Sequence, residues 1–230
     1  MARINRAELT RQEIIRHAAN RFLEIGYSKT SIHAMSKALD MSTGNMTFYF
    51  PTKEHILAEL VDMLCQFQWS QMEYEAKEGV SSVMAVCLEL LTMAAACEQD
   101  AVVKDFFLAA YSSRISLEKI RKNDKNRAKA VFGRYCPGWT DEQFQVAETL
   151  VSGIEYATLM TTESSAPLKQ RIIGALNTIM MIYQVPEETR KLKIQKVLAM
   201  DYQKLGLRVL KEFRSYVEQT TQQALLDLLK

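Results

Sequence analysis

A chain of 230 residues, 48% of them apolar and 24% charged, can bury a sizeable core, and 8 glycines and 4 prolines are too few for the closely spaced turns of an all-β protein. An all-α fold is expected. The net charge of +2 excludes a strongly polyanionic or polycationic chain, and the isolated Cys65, Cys87, Cys97 and Cys136 lack the close pairing that zinc or dithiol motifs use.

The first 53 residues hold eight basic residues (Arg3, Arg6, Arg11, Arg16, Arg21, Lys29, Lys37, Lys53) against four acidic ones (Glu8, Glu13, Glu24, Asp40). One basic end on a mildly acidic body suits contact with a polyanion at that end alone. Thr10 and Glu13 have capping-box spacing and predict a helix start, followed by Ile14, Ala18, Phe22 and Ile25 on one face and by Gly26 as the stop. Thr30 is the expected N-cap of a second, short helix that carries Ile32, Met35 and Leu39 inward. After a tight Asp40-Met41 connection, Ser42 caps a third helix that cannot run far past Phe50, because Pro51 restricts the residue before it.

Phe48, Tyr49 and Phe50 cannot all face one core from a single helical turn. Met46 and Phe50, four apart, form the inward stripe. Gly44 leaves the first turn bare, and Tyr49 is expected to be the outward ring.

Thr52 is expected to cap a long helix through Ile56, Leu60, Leu64 and Phe67 that ends near Gly79. Helical segments follow over 80–98, 101–112 and 115–134, and then a loop at Cys136-Pro137-Gly138. Thr140 and Gln143 form a second capping box ahead of Phe144, Ala147, Val151 and Ile154, Pro167 and Pro186 mark two further helix starts, and residues 187–230 are amphipathic. No apolar run reaches bilayer thickness and the basic start lacks the apolar stretch of a leader, so a soluble, cytoplasmic protein with no membrane partner is expected. The cysteines read as free thiols in a reducing compartment.

The stretch from Ala18 to Leu57, AANRFLEIGYSKTSIHAMSKALDMSTGNMTFYFPTKEHIL, resembles the helix-turn-helix region of the TetR family of bacterial transcriptional regulators. Phe22, Gly26-Tyr27, Thr30-Ser31-Ile32, the helix from Ser42 to Phe50 and the exit Phe50-Pro51-Thr52-Lys53-Glu54 carry the likeness. It implies a DNA-binding domain over 1–52 and a helical effector-binding and dimerisation domain over 53–230. It also implies a homodimer on a palindromic double-stranded operator, in the usual case as a repressor released by a small-molecule effector.

By this resemblance Thr43, Gly44, Asn45 and Thr47 lie near base edges, with Phe48 on the same DNA-facing helix. Thr30, Ser42, Tyr49 and Lys53 hold phosphates, and Arg3 and Arg6 extend toward a neighbouring groove. Where members of the family commonly carry Tyr-Tyr-His, this chain has Thr47-Phe48-Tyr49.

Of the body's aromatics, Trp69, Phe106, Phe107, Tyr111, Trp139 and Tyr156 are candidates for an adaptable effector pocket, with ordinary core packing as the competing reading. The segments 140–162 and 167–185 are candidate dimer helices. Ala147, Gly153 and Ala157 would allow close approach there and Leu168, Ile172, Leu176 and Ile179 form a stripe, while the 187–230 tail is the other candidate. The three histidines, His17, His33 and His55, make no metal motif and no phosphate-cradling loop is present, so no cofactor, metal or catalytic residue is expected. The alternatives are a regulator with weakened DNA binding that works through a protein partner, and an all-helical enzyme.

Overall fold

The computed structural model describes residues 6–79 and 82–228, with eleven helices and no strand among them. The amino-terminal unit is α1 (Arg6–Glu24), α2 (Ile32–Ala38) and α3 (Thr43–Tyr49). The long α4 (Lys53–Ala76) joins it to a body of α5 (Val83–Gln99), α6 (Ala101–Ser112), α7 (Arg114–Phe132), α8 (Asp141–Leu159), α9 (Leu168–Ile182) and α10 (Glu187–Leu198), closed by α11 (Tyr202–Leu228). No described helix is long and apolar enough to cross a membrane.

Local chemistry sets most of the boundaries. Gly26, at φ +104°, ends α1 in a conformation that side chains other than glycine's rarely adopt. Ser42 Oγ accepts from Asn45 N at 3.0 Å and fixes the start of α3. Thr140 and Gln143 form the expected reciprocal capping box at α8.

Two expected boundaries are corrected. Helix α1 already runs from Arg6, and Thr10 Oγ1 donates to the Arg6 carbonyl at 3.0 Å, so Thr10 sits inside the helix as a back-bonding hydroxyl and caps nothing. The cap of α2 is Ser31, whose hydroxyl accepts from Ala34 N at 3.1 Å; Thr30 is turned inward. Helix α4 ends near Gly79 as expected, with Lys77 in the left-handed region at φ 53° as its cap.

The core of the small unit is Ile14, Ala18, Phe22, Met35, Met46 and Phe50, all buried and continuous with the body through Ile56, Leu57 and Leu60 on α4. Helix α11 lies across both parts. Leu210, Phe213 and Val217 are buried within the chain, so that face of the tail packs on the protein's own core, while Leu207 and Tyr216 stay exposed on its other side. Gly206 makes the crossing possible: a Cβ there would lie 2.4 Å from the Thr92 carbonyl of α5. On the other side α11 holds α1 through Arg16 to Glu218 at 2.9 Å and through Arg214 to Asn20 and Glu24.

The apolar stripe expected for dimerisation is also corrected. Ile172, Leu176 and Ile179 are buried in the chain's own core, as is Ala147, whereas Gly153 and Ala157 are exposed. The outer faces of α8 and α9 present a different set: Val146, Leu150, Met160, Ile173 and Met181. The period is right and the face is opposite, because one helical stripe buries itself before another can be left outside.

Candidate nucleic-acid interface and effector cavity

Helices α2 and α3, joined by the turn Leu39 to Ser42 with Asp40 at φ 51°, pack on α1 as a helix-turn-helix. Thr43 Oγ1 lies 3.3 Å from Ser36 Oγ and 3.5 Å from His33 Nδ1, so the first residue of α3 is braced against α2. Thr47 Oγ1 donates to the Gly44 carbonyl at 3.0 Å. Ser42, Thr43, Gly44 and Asn45 are exposed, and Met46 and Phe50 beneath them are buried. A helix with one anchored side and one open, hydroxyl- and amide-bearing side is what groove contact requires.

The outward ring is Phe48, 78% exposed; Tyr49 is half-buried and meets Phe48 edge-on, centroids 5.3 Å apart. That corrects the assignment of Tyr49 as the outward aromatic. At 100° per residue, position 48 is 200° from both Met46 and Phe50, and therefore opposite the anchored stripe, whereas position 49 falls on its flank.

Two expected phosphate contacts are corrected as well. Thr30 is 2% exposed and its Oγ1 donates to the Gly26 carbonyl at 2.8 Å. Lys53 Nζ donates to the carbonyls of Tyr27 at 3.0 Å and Thr30 at 2.9 Å, and lies 3.9 Å from the centre of the Tyr27 ring. Carbonyls just past a helix end need donors, and Lys53 supplies them from the start of α4. Burial accordingly holds the Lys53 ammonium below its ordinary pKa. Arg6 opens α1 and is exposed; Arg3 lies outside the described residues.

Lys29 and Lys37 are exposed on the same unit without an ion-pair partner among the described residues, so the local positive charge is carried outward by residues that no motif singled out. Asp105 of α6 was also missed. Its carboxylate accepts from Ser28 N at 2.8 Å and from Ser28 Oγ, which ties the body to the loop after α1.

In the body, Phe106, Phe107 and Tyr111 of α6 line a cavity of about 40 Å³ between α4, α5, α6, α7 and α8. Trp69 is a neighbour through Arg127, whose guanidinium lies 5.0 Å from its ring centre. Trp139 and Tyr156 are elsewhere. Trp139 belongs to a second cluster, with Phe144 at 5.2 Å and Tyr183 at 6.1 Å, in which Phe132 and Tyr183 stack at 4.3 Å; Tyr156 is half-buried against the core and is not a wall of the cavity.

The cavity walls are less apolar than the aromatics suggested. Glu89, Asp124 and Glu155 line it together with Cys65 and Gln68. Arg127 Nη1 lies 3.2 Å from Glu89 and 3.3 Å from Asp124, and its Nη2 donates to the Cys65 carbonyl. Tyr111 OH donates to Glu155 at 3.0 Å, and behind the cavity Tyr183 OH donates to the buried Glu148. Burial pushes the carboxyls of Asp124 and Glu155 well above the usual range, against the pull of Arg127 on the first and of Tyr111 on the second. The thiols are equally displaced: burial raises Cys65, and Cys87 and Cys97 are pushed up to about 12, which leaves them protonated and inert.

The paired helices α2 and α3 with an open outer face define the class, an all-α helix-turn-helix DNA-binding protein. Residues 14–60, which span α1 to the start of α4, match the model of the bacterial regulatory proteins of the tetR family. No curated protein matches it. Similar solved structures include two described as gamma-butyrolactone receptors (ArpA-like protein). One is 19% identical, covering 90% of this chain and 99% of its own, with a TM-score of 0.41; the other is 18% identical, covering 90% and 98%, with a TM-score of 0.43. AmtR of Mycobacterium smegmatis is 15% identical over 83% of this chain and 94% of its own, with a TM-score of 0.40.

Proposed function

We propose that this regulator is a ligand-responsive repressor that binds a palindromic operator as a homodimer. Its DNA-binding domain is 1–52, and 53–230 senses a small molecule and dimerises. The observation that carries the DNA half is the exposed face of α3, where Ser42, Thr43, Gly44, Asn45 and Phe48 point away from the buried Met46 and Phe50. In this reading Asn45 and Phe48 meet base edges, with Thr43, Gly44 and Thr47 beside them. Ser42, Tyr49, Lys29, Lys37 and Arg6 meet phosphates. One α3 reads too few bases for a unique site, so two heads about one DNA turn apart are required, joined through the exposed apolar faces of α8 and α9.

A mobility-shift titration on the DNA upstream of the protein's own gene tests this. Asn45→Ala should relax preference at particular base pairs, Tyr49→Phe should weaken all sequences alike, and affinity should fall steeply with salt. Binding without a salt slope, or identical behaviour of both variants on all DNA, overturns the assignment and favours action through a protein partner.

A further inference from the structure

Ser42 and Thr43 carry adjacent exposed hydroxyls at the start of α3, and the two differ in where their protons go. Ser42 Oγ accepts from Asn45 N at 3.0 Å, so one lone pair is used within the chain and its O–H is left to point outward. Thr43 has the opposite polarity, which its neighbours impose. Ser36 is 2% exposed and its single proton goes to the His33 carbonyl at 3.0 Å. In the 3.3 Å contact between Ser36 Oγ and Thr43 Oγ1 the threonine is therefore the donor. His33 Nδ1, 3.5 Å from Thr43 Oγ1, does not alter this. As an acceptor it competes with Ser36 for the same proton, and as a donor it takes one of the two lone pairs. In either tautomer the Thr43 proton is spent inside the helix-turn-helix, and a lone pair is left to face outward.

We propose that Thr43 reads an exocyclic amino group, N6 of adenine or N4 of cytosine, in the major groove, and that Ser36 is the positioning residue that imposes this choice. A hydroxyl with no proton to give cannot serve thymine O4, guanine O6 or a phosphate oxygen, all of which are acceptors; the amino groups are donors. To face an acceptor, Thr43 must turn its proton away from Ser36 and leave a buried oxygen short of its donor. The base class is thus chosen by a residue that lies beneath the DNA-facing side. This inference rests on the DNA reading above and adds to it the chemistry of one base.

The test is a mobility-shift titration with the full chain on the half-site that footprinting delimits upstream of the protein's own gene. Each adenine is replaced in turn by purine and each cytosine by 2-pyrimidinone, which removes the amino group and keeps the ring. At one position the wild type should lose about fivefold in Kd beyond what Thr43→Val loses there. The missing base-pair hydrogen bond is common to both proteins and cancels. Thr43→Ser should respond as the wild type does. Ser36→Ala frees the Thr43 proton, so at that position it should bind thymine or guanine about as well as adenine or cytosine, while the salt slope and the response at every other position stay those of the wild type. Those unchanged positions show the variant folded. Equal losses for wild type and Thr43→Val at every position, or undiminished discrimination in Ser36→Ala, overturn this inference and leave the DNA reading standing. A wild type that binds all sequences alike overturns both.

Discussion

Replacing Glu148 by glutamine isolates one buried carboxyl from its acidic neighbours. The residue is 3% exposed, and burial pushes its pKa from 4.5 up to about 7, against the Tyr183 hydrogen bond and the fields of Arg127 and Arg121, which lower it. Between those two values the folded chain holds a proton that the unfolded chain has released. Stability therefore falls as pH rises through that window and levels off above it. The gap corresponds to about 3 kcal/mol. Urea unfolding followed by circular dichroism at pH 5, 6, 7 and 8 measures it. Wild type and Glu148→Gln should be of similar stability at pH 5, and by pH 8 the variant should be ahead by about 3 kcal/mol. Glutamine retains an acceptor for Tyr183, so a lost hydrogen bond does not mask the effect. The wild type keeps a residual slope from Glu89, Asp124 and Glu155, whose pKa values are raised as well, and that slope persists in the variant. Parallel pH profiles for the two proteins would refute the reasoning.

Three further outcomes are expected. The exposed Phe48 ring is suited to a thymine methyl. Replacing thymine by deoxyuridine at the contacted position should cost the wild type about 0.8 kcal/mol, roughly fourfold in Kd, and Phe48→Ala nothing; equal losses in gel-shift titrations would place Phe48 off the bases. Lys53→Met removes two hydrogen bonds to loop carbonyls and should lower unfolding free energy by about 2 kcal/mol while the salt slope of operator binding stays unchanged. A slope reduced by about 0.9 would put Lys53 on a phosphate. Leu150→Glu, at a position 55% exposed on α8, should give monomers in sedimentation and lose operator binding, and a persistent dimer would put the interface on another face.

The parts legible in the sequence are those written in adjacent residues. Gly26, Ser42, Pro51 and the Thr140–Gln143 box act on backbone within four positions, and α6 falls on 101–112 as read, because Asp100 caps its first turn and the helix ends before Ser113. The errors come from residues with two local uses. Thr10 has capping-box spacing, yet it sits within a helix that starts four residues earlier, where its own i−4 carbonyl is available. Thr30 and Ser31 are both capping hydroxyls, and only the fold shows which one Gly26 takes. The acidic cavity was invisible for a different reason. Glu89, Asp124, Glu148 and Glu155 come from three helices and each reads as an ordinary solvated charge; their meeting follows from how α5, α7 and α8 pack. Phe48 could have been found by angular arithmetic from Met46 and Phe50.

The same packing gives the cavity a mechanical link to the DNA-facing unit. Helix α4 brings Leu64, Cys65 and Gln68 to the cavity, and some 15 residues earlier, about 22 Å along the helix, its Lys53 grips the carbonyls of Tyr27 and Thr30. Helix α6 brings Phe106, Phe107 and Tyr111 to the opposite wall, and its Asp105 grips Ser28 in the same loop. Two walls of one cavity thus hold the loop between α1 and α2 from two directions, and a Cβ at Gly26 would come within 2.9 Å of Asp105, so there is little slack between them. A ligand that widens the cavity separates the two grips, and the loop, with α2 attached, must follow one wall or the other. Its leverage on DNA binding equals its preference for the widened form over the closed one. About 5 kcal/mol of such preference is needed to take the population from mostly bound to mostly free.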